Sequence, residues 1–285
     1  MRARRGRTKH DQILAAVPST ARGQVLVVTN TGRAFKTDVI GLPSLPNRAG
    51  TVSLAGTMPA KEIIPLTPGE KIVALCPMGE QAVGSPGLAL GTKSGVVKVV
   101  KPEWPVRSDE FSVIGLTDGD EIVGANWLTD GSETLVFVTS DASLLRFEAA
   151  KVRPQGLTGG GMAGIKLGEG AHVLHFSAVA TTGDAATGDN EPMVVTSTGA
   201  GVKVTPFAEY PAKGRATGGV RCMRFLKTRG SGSEDRLAVA WVGPKPAAAT
   251  SNGDPVDLPP VDKRRDGAGE TMFGPDIVGV LVERP

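Results

Sequence analysis

Aromatic residues make up only 4% of the 285-residue chain. Any core must therefore be built from Val, Leu, Ile and Ala, and the stacking platforms that single-stranded nucleic acid requires are missing. Trp104, Trp127 and Trp241 read as core or blade-edge packing. Cysteine is almost absent: Cys76 and Cys222 have no Cys or His at metal-ligand spacing, which excludes a zinc module and leaves two buried free thiols. The three histidines, His10, His172 and His175, do not cluster with carboxylates in a catalytic or metal-binding spacing, and no metal or cofactor is expected. No Gly-x-Ser-x-Gly elbow is present. The stretch 156–164 is glycine-rich but lacks the Gly-Lys-Ser/Thr ending of a nucleotide loop. No apolar run approaches the length of a membrane helix. The basic N-terminus is followed only by a short apolar patch, 13–17, so it is not a signal peptide. Net charge is just +3, so any polyanion partner depends on where the cations sit.

Glycine and proline are abundant, with 38 Gly and 21 Pro, and without a collagen-like period they indicate many tight turns. Those turns recur in one grammar. A β-branched run reaches Thr29, turns through Asn30-Thr31-Gly32, and returns as Arg33-Ala34-Phe35-Lys36. The grammar repeats at 88–100, 135–147 and 193–204. A threonine stands three residues before the turn Gly or Ala each time, at Thr29, Thr92, Thr139 and Thr196. The spacing of roughly fifty to sixty residues is close to that of propeller blades. A fifth, weaker copy is expected to start at 237–242. Second halves are expected at 61–64 and 71–75, then at 120–125, 170–176 and 219–226, giving about four strands per blade. The stretches 181–190 and 244–255 read as flexible surface loops. A hairpin alone cannot bury its face, so the blades must stack into a ring. Strand 277–282 is expected to pair with 13–17 and close or extend it.

Between hairpins run connections rich in Gly and Pro that carry Lys and Arg. Glycine removes side-chain bulk and exposes backbone N–H groups, which lets such loops approach phosphates closely. The loop cations are Arg48, Arg153, Lys166, Lys213, Arg215, Arg221, Lys263, Arg264 and Arg265. The returning strands add Arg33, Lys36, Lys93, Lys98, Arg146 and Lys203. The N-terminal arm, residues 1–11, adds Arg4, Arg5 and Arg7 and reads as cut from a longer protein. Set around a ring, these cations would form a belt for contacts to the backbone phosphates of a nucleic acid, strongly salt-dependent and weakly sequence-specific. A propeller serving as a protein-interaction platform is the alternative, and a hydrolase working in the axial channel lacks every motif it needs.

The repeated hairpin, together with Val152-Arg-Pro-Gln-Gly-Leu-Thr-Gly-Gly-Gly-Met-Ala-Gly-Ile-Lys-Leu167, Tyr210-Pro-Ala-Lys-Gly-Arg-Ala-Thr-Gly-Gly-Val220 and Leu258-Pro-Pro-Val-Asp-Lys-Arg-Arg-Asp-Gly267, resembles the C-terminal domain of the A subunit of bacterial type IIA topoisomerases, gyrase and topoisomerase IV. The Gly/Pro-rich style is similar to an actinobacterial topoisomerase IV-like protein. The resemblance implies an all-β fold: a single β-pinwheel over residues 1–285, with about five to six four-stranded blades, that binds and bends double-stranded DNA around a basic rim. It implies a non-catalytic, cytoplasmic, nucleoid-associated module. Its partners would be DNA, the rest of the A subunit, through which it meets the B subunit, and no membrane. Only Arg4-Arg5-Gly6-Arg7 echoes the Gln-Arg-Arg-Gly-Gly-Lys-Gly box that gyrases use for wrapping, which favours a topoisomerase IV-like role. The family's cleaving tyrosine lies in a separate domain, and the single tyrosine here, Tyr210, is not at its position.

Overall fold

Every hairpin in the computed structural model, which describes residues 7–45, 56–226 and 236–281, turns on a threonine. The N–H of Gly32 donates to the carbonyl of Thr29 at 3.0 Å, Gly95 to Thr92 at 3.0 Å, Ala142 to Thr139 at 3.0 Å and Gly253 to Thr250 at 2.9 Å. The donors have φ of +81°, +89°, +62° and +82°. Glycine enters this left-handed region freely, whereas Ala142 does so at a steric cost. The threonine hydroxyls of Thr92 and Thr139 then accept the first N–H of the returning strand, and that of Thr250 accepts the N–H of Asp254, just ahead of it. In the remaining hairpin, Thr198 exchanges hydrogen bonds with Gly201 around a tight Gly199-Ala200 turn. The anchor there is thus Thr198. Thr196, the position expected from spacing, lies within the strand and is fully buried.

Five hairpins seed five antiparallel four-stranded sheets. The first orders Ile72–Pro77, Gln24–Thr29, Arg33–Asp38 and Glu110–Ser112; the second, Ile122–Trp127, Leu88–Thr92, Val96–Val100 and Met162–Ala163. The third orders Val173–Val179, Thr134–Thr139, Ser143–Glu148 and Val220–Arg221; the fourth, Val239–Gly243, Met193–Ser197, Gly201–Pro206 and Glu270–Thr271. The fifth is Gln12–Ile13, Ile277–Leu281, Pro246–Ala249 and Pro255–Val256. In the first four, the last strand is lent by the chain that follows the next blade's hairpin. Strands 72–77, 122–127, 173–179, 239–243 and 277–281 contact one another in succession. The result is a propeller-like ring of five blades built by strand exchange, a β-pinwheel.

Several expectations are corrected. The fifth hairpin is 246–249 with 255–256, not 237–242, which supplies the first-named strand of the fourth sheet. Its alanines have weak β propensity and its two prolines start strands, where a missing N–H is tolerated, so it reads as a loop. Residues 219–226 supply the strand lent to the third sheet rather than a second half of their own blade. Ala60–Ile63 is one helical turn, not a strand. The expected pairing of the chain's two end strands holds in shifted form: Gln12 faces Leu281 and Ile13 faces Val280.

Blade stacking supplies the core. Phe137, Phe147 and Phe176 pack with Leu135, Leu145, Val97 and Val99 between the second and third blades. The close approach there requires Gly91, since a Cβ at that position would lie 2.4 Å from the Phe176 ring. Leu26, Leu88, Leu90 and Ile122 fill the first junction, and Val136, Leu144, Phe207 and Tyr210 the third. The fourth junction is thin: Val195, Val204, Ala248 and Val278. Cys76 and Cys222 are buried free thiols, each pushed up by burial to a pKa of about 12. His175 is held neutral by burial, its pKa lowered to about 4, and its Nε2 accepts the Val242 N–H at 3.1 Å.

Candidate nucleic-acid interface

The loops that lead to the exchanged strands form the perimeter, and each is laced to the blade it serves. The N–H of Gln155 donates to Val99 O at 2.8 Å, Lys213 to Arg146 O at 3.0 Å and Asp262 to Val204 O at 2.8 Å. Each loop then passes a glycine pressed onto backbone: a Cβ at Gly161, Gly219 or Gly269 would fall 2.7, 2.5 or 2.4 Å from the carbonyl oxygen of Val97, Leu144 or Val202. Their φ values of +82°, +75° and +78° add to the demand for glycine. Past the exchanged strand, Val113, Gly164, Cys222 and Met272 each donate to the turn of the hairpin they flank, at Gly32, Gly95, Ala142 and Ala200.

Successive loops also bond to one another. The N–H of Ala216 donates to Gly164 O at 2.7 Å and that of Lys166 to Thr217 O at 3.0 Å, while the Arg215 guanidinium reaches Ala163 O. Arg224 N–H donates to Gly267 O at 3.1 Å. The Lys98 ammonium bridges Val113 O at 2.7 Å and Leu157 O at 2.9 Å. The perimeter is therefore one continuous, hydrogen-bonded belt from residue 113 to 267. Along it a groove of about 660 Å³ is lined by Lys101, Arg153, Gln155, Thr158 and the glycines 156 and 159–161.

The expected cations divide into two kinds. Of those on returning strands, Lys36, Lys98, Arg146 and Lys203 hold the belt from beneath, whereas Lys93 is exposed at the hairpin turn and paired with Glu121 at 3.2 Å. Lys98 and Lys203 are 0% and 1% exposed, and burial lowers both to a pKa of about 8. Lys203 donates to the carbonyls of Arg264 and Arg265, Lys36 to that of Pro105, and Arg146 to that of Phe207 while lying over its ring. Lys98 thus cannot serve as a phosphate contact, because its ammonium is enclosed. Arg33 is paired with Glu70 at 2.7 Å and Glu110 at 2.8 Å and stacks on Phe35. Arg7 grips Asp11 and Val256 O, tying the N-terminal arm to the fifth blade.

Loop cations face outward. Arg153, Lys166, Lys213, Arg221 and Lys263 are exposed and Arg215 is half-exposed. Lys213 also reaches Gly219 O at 3.1 Å. Arg264 is exposed but paired with Asp262 at 3.0 Å, and Arg265 is half-buried. Arg4, Arg5 and Arg48 lie outside the described residues. Arg224, not among the expected contacts, is exposed at the position equivalent to Lys166; aligning the loops on their shared bond to the hairpin turn would have found it. Tyr210, beside the third loop, is 0% exposed, and burial raises its phenol further from ionisation. Among the described residues, no helix is long and apolar enough to cross a membrane.

The chain matches the family model of the DNA gyrase C-terminal domain, a β-propeller, over residues 133–180 and 192–230. It is 30% identical over 221 residues to the DNA gyrase A protein of Escherichia coli K12, covering 77% of this chain and 23% of that protein. The DNA gyrase A protein of Staphylococcus epidermidis is 27% identical over 243 residues, covering 82% and 26%. The chain thus spans about a quarter of these relatives. Among solved structures, the C-terminal domain of DNA topoisomerase IV matches with a TM-score of 0.70 at 20% identity, covering 92% of this chain and 78% of that one. The gyrase A C-terminal domain matches with a TM-score of 0.63 at 15% identity, covering 91% and 81%.

Proposed function

Since the chain belongs with the C-terminal domains of type IIA topoisomerase A subunits, we propose that it binds duplex DNA on its perimeter belt and bends it, as a non-catalytic module of a type II topoisomerase. The carrying observation is the belt: loops bonded to one another, rich in glycine, with outward cations. Backbone N–H groups and Lys or Arg side chains on such a surface meet phosphates without reading bases. The enclosed Tyr210 supports the assignment of cleavage chemistry to another domain. The partners in this reading are duplex DNA, the B subunit, and the remainder of the protein that carries this domain, in the cytoplasm near the nucleoid. A topoisomerase IV-like role, gathering and bending a DNA segment, is part of this reading, because Arg4-Arg5-Gly6-Arg7 echoes only part of the wrapping box.

The test is a gel-shift series on mixed-sequence duplexes across a salt range, with nicked circles ligated in the protein's presence. Expected are binding that weakens steeply with salt, equal affinity across sequences, and altered writhe in the ligated circles. Absence of binding at low salt refutes the reading. A protein-interaction platform is the second reading, favoured by Phe273, which is 92% exposed beside a loop of mixed charge.

A further inference from the structure

We infer that DNA is held on one arc of the perimeter, across the second to fourth blades, rather than around the ring. The inference rests on the DNA-binding reading above and comes from comparing equivalent stretches of the belt. Aligned on the residue that bonds to the hairpin turn, these are 101–115, 152–166, 210–224 and 260–274. Stretch 152–166 holds two cations and no carboxylate, and 210–224 holds four and none. Stretch 101–115 holds two cations against three carboxylates, and 260–274 holds three against three.

The two uncompensated stretches are consecutive and are the pair joined by the Ala216–Gly164 and Lys166–Thr217 bonds. They present Arg153, Lys166, Lys213, Arg215, Arg221 and Arg224 as a single surface. Arg153, Lys166, Arg221 and Arg224 have no side-chain partner among the described residues, so their charge is available. The nearest carboxylates before the two stretches are Glu148, paired with Lys151 at 3.8 Å, and Glu209, in the turn ahead of the third loop. On the flanking stretches carboxylates match or outnumber the cations, and with a screening length of about 8 Å at physiological salt a phosphate there gains little net attraction. The arc is bounded at one side by Glu103 and Asp109, Glu110 being paired with Arg33, and at the other by Asp262, Asp266 and Glu270.

The experiment measures the salt dependence of affinity for a labelled mixed-sequence duplex by fluorescence anisotropy. With about 0.9 counterions released per phosphate neutralised, six cations bound the log–log slope near about −5. Lys166→Gln/Arg221→Gln/Arg224→Gln should make it shallower by about 3. Lys101→Gln/Arg107→Gln/Lys263→Gln should change it by less than about 1. A flank variant that loses as much slope as the arc variant overturns the inference. Asp266→Asn/Glu270→Gln, which leaves the Asp262–Arg264 pair intact, should steepen the slope by about 1 or more by extending the arc. An unchanged slope in that variant overturns the claim that these carboxylates bound the arc, and it does so even if the arc variant fails to fold. If the unmodified chain does not bind at all, the DNA reading itself fails, and the arc with it; binding that is spread evenly over the perimeter removes the arc alone.

Discussion

The second and third blades meet across three phenylalanines; the fourth and fifth meet across Val195, Val204, Ala248 and Val278. The same construction thus yields a thick junction and a thin one. The difference follows from what each strand brings. Thr134–Thr139 and Ser143–Glu148 deliver Leu135, Phe137, Leu145 and Phe147, whereas Pro246–Ala249 delivers alanine. The uncompensated loops are mounted on the thick side. A phosphate-binding surface gains from a rigid mount, because its groups then need no ordering on binding. The thin side carries the loop whose charges cancel.

Truncations test this contrast most strongly. Phe137→Ala removes a fully buried ring whose centroid lies 4.9 Å from Phe176 and 6.3 Å from Phe147, and should cost about 3–5 kcal/mol. Ile165→Ala, on the buried anchor that follows the second exchanged strand, should cost about 2–4 kcal/mol. Val278→Ala at the thin junction should cost about 1–2 kcal/mol. Urea midpoints at constant m report all three. Equal losses at Phe137 and Val278 would break the comparison and show that the thin junction is better packed in solution.

A smaller effect is shared by both sides, since each hides an ammonium under its loop. Lys98 and Lys203 have pKa values lowered by burial from 10.5 to about 8. Between pH 8 and 10.5 the unfolded chain therefore binds more protons than the folded one, and stability rises with pH. Cys76 and Cys222 act oppositely: raised by burial from 9.0 to about 12, they make the folded form the better proton binder above pH 9. Stability should climb from pH 8 to 9 and then flatten or fall. Lys98→Met should shrink the climb, as seen in denaturation midpoints across that range, and a full climb in this variant would contradict the enclosed ammonium.

Four of the five hairpins were legible because Val, Leu and Thr mark strands and a left-handed residue marks the turn. The fifth was hidden by Ala247-Ala248-Ala249 and its prolines, although Thr250 and Gly253 keep the same three-residue spacing. The shift from Thr196 to Thr198 was hidden because a two-residue turn leaves no trace in threonine spacing. Basic loops were legible as a set, but not which cations face solvent. Lys98 and Lys203 look like rim residues in the sequence, and only the strand-exchange topology lays a loop over them. Arg33 needed Glu70 and Glu110 brought from distant chain to be recognised as paired.

The smallest expected effect isolates what the thin junction lacks. Ile114, Ile165 and Met223 follow the first three exchanged strands and are 4%, 5% and 1% exposed; Phe273, their equivalent after the fourth, is 92% exposed. The chain that crosses from exchanged strand to the next strand runs through 113–121 and 164–172 in the first two blades but only through 272–276 in the fourth, too short to dip into the junction and return. Phe273→Ala should therefore change stability by less than about 0.5 kcal/mol, as for a surface position, against the loss at Ile165. A cost above about 2 kcal/mol would mean that the ring is covered in solution. Loss of a protein partner without loss of fold or of DNA affinity would mark Phe273 as the centre of a separate protein contact, divided from the DNA arc by the carboxylates of the fourth loop.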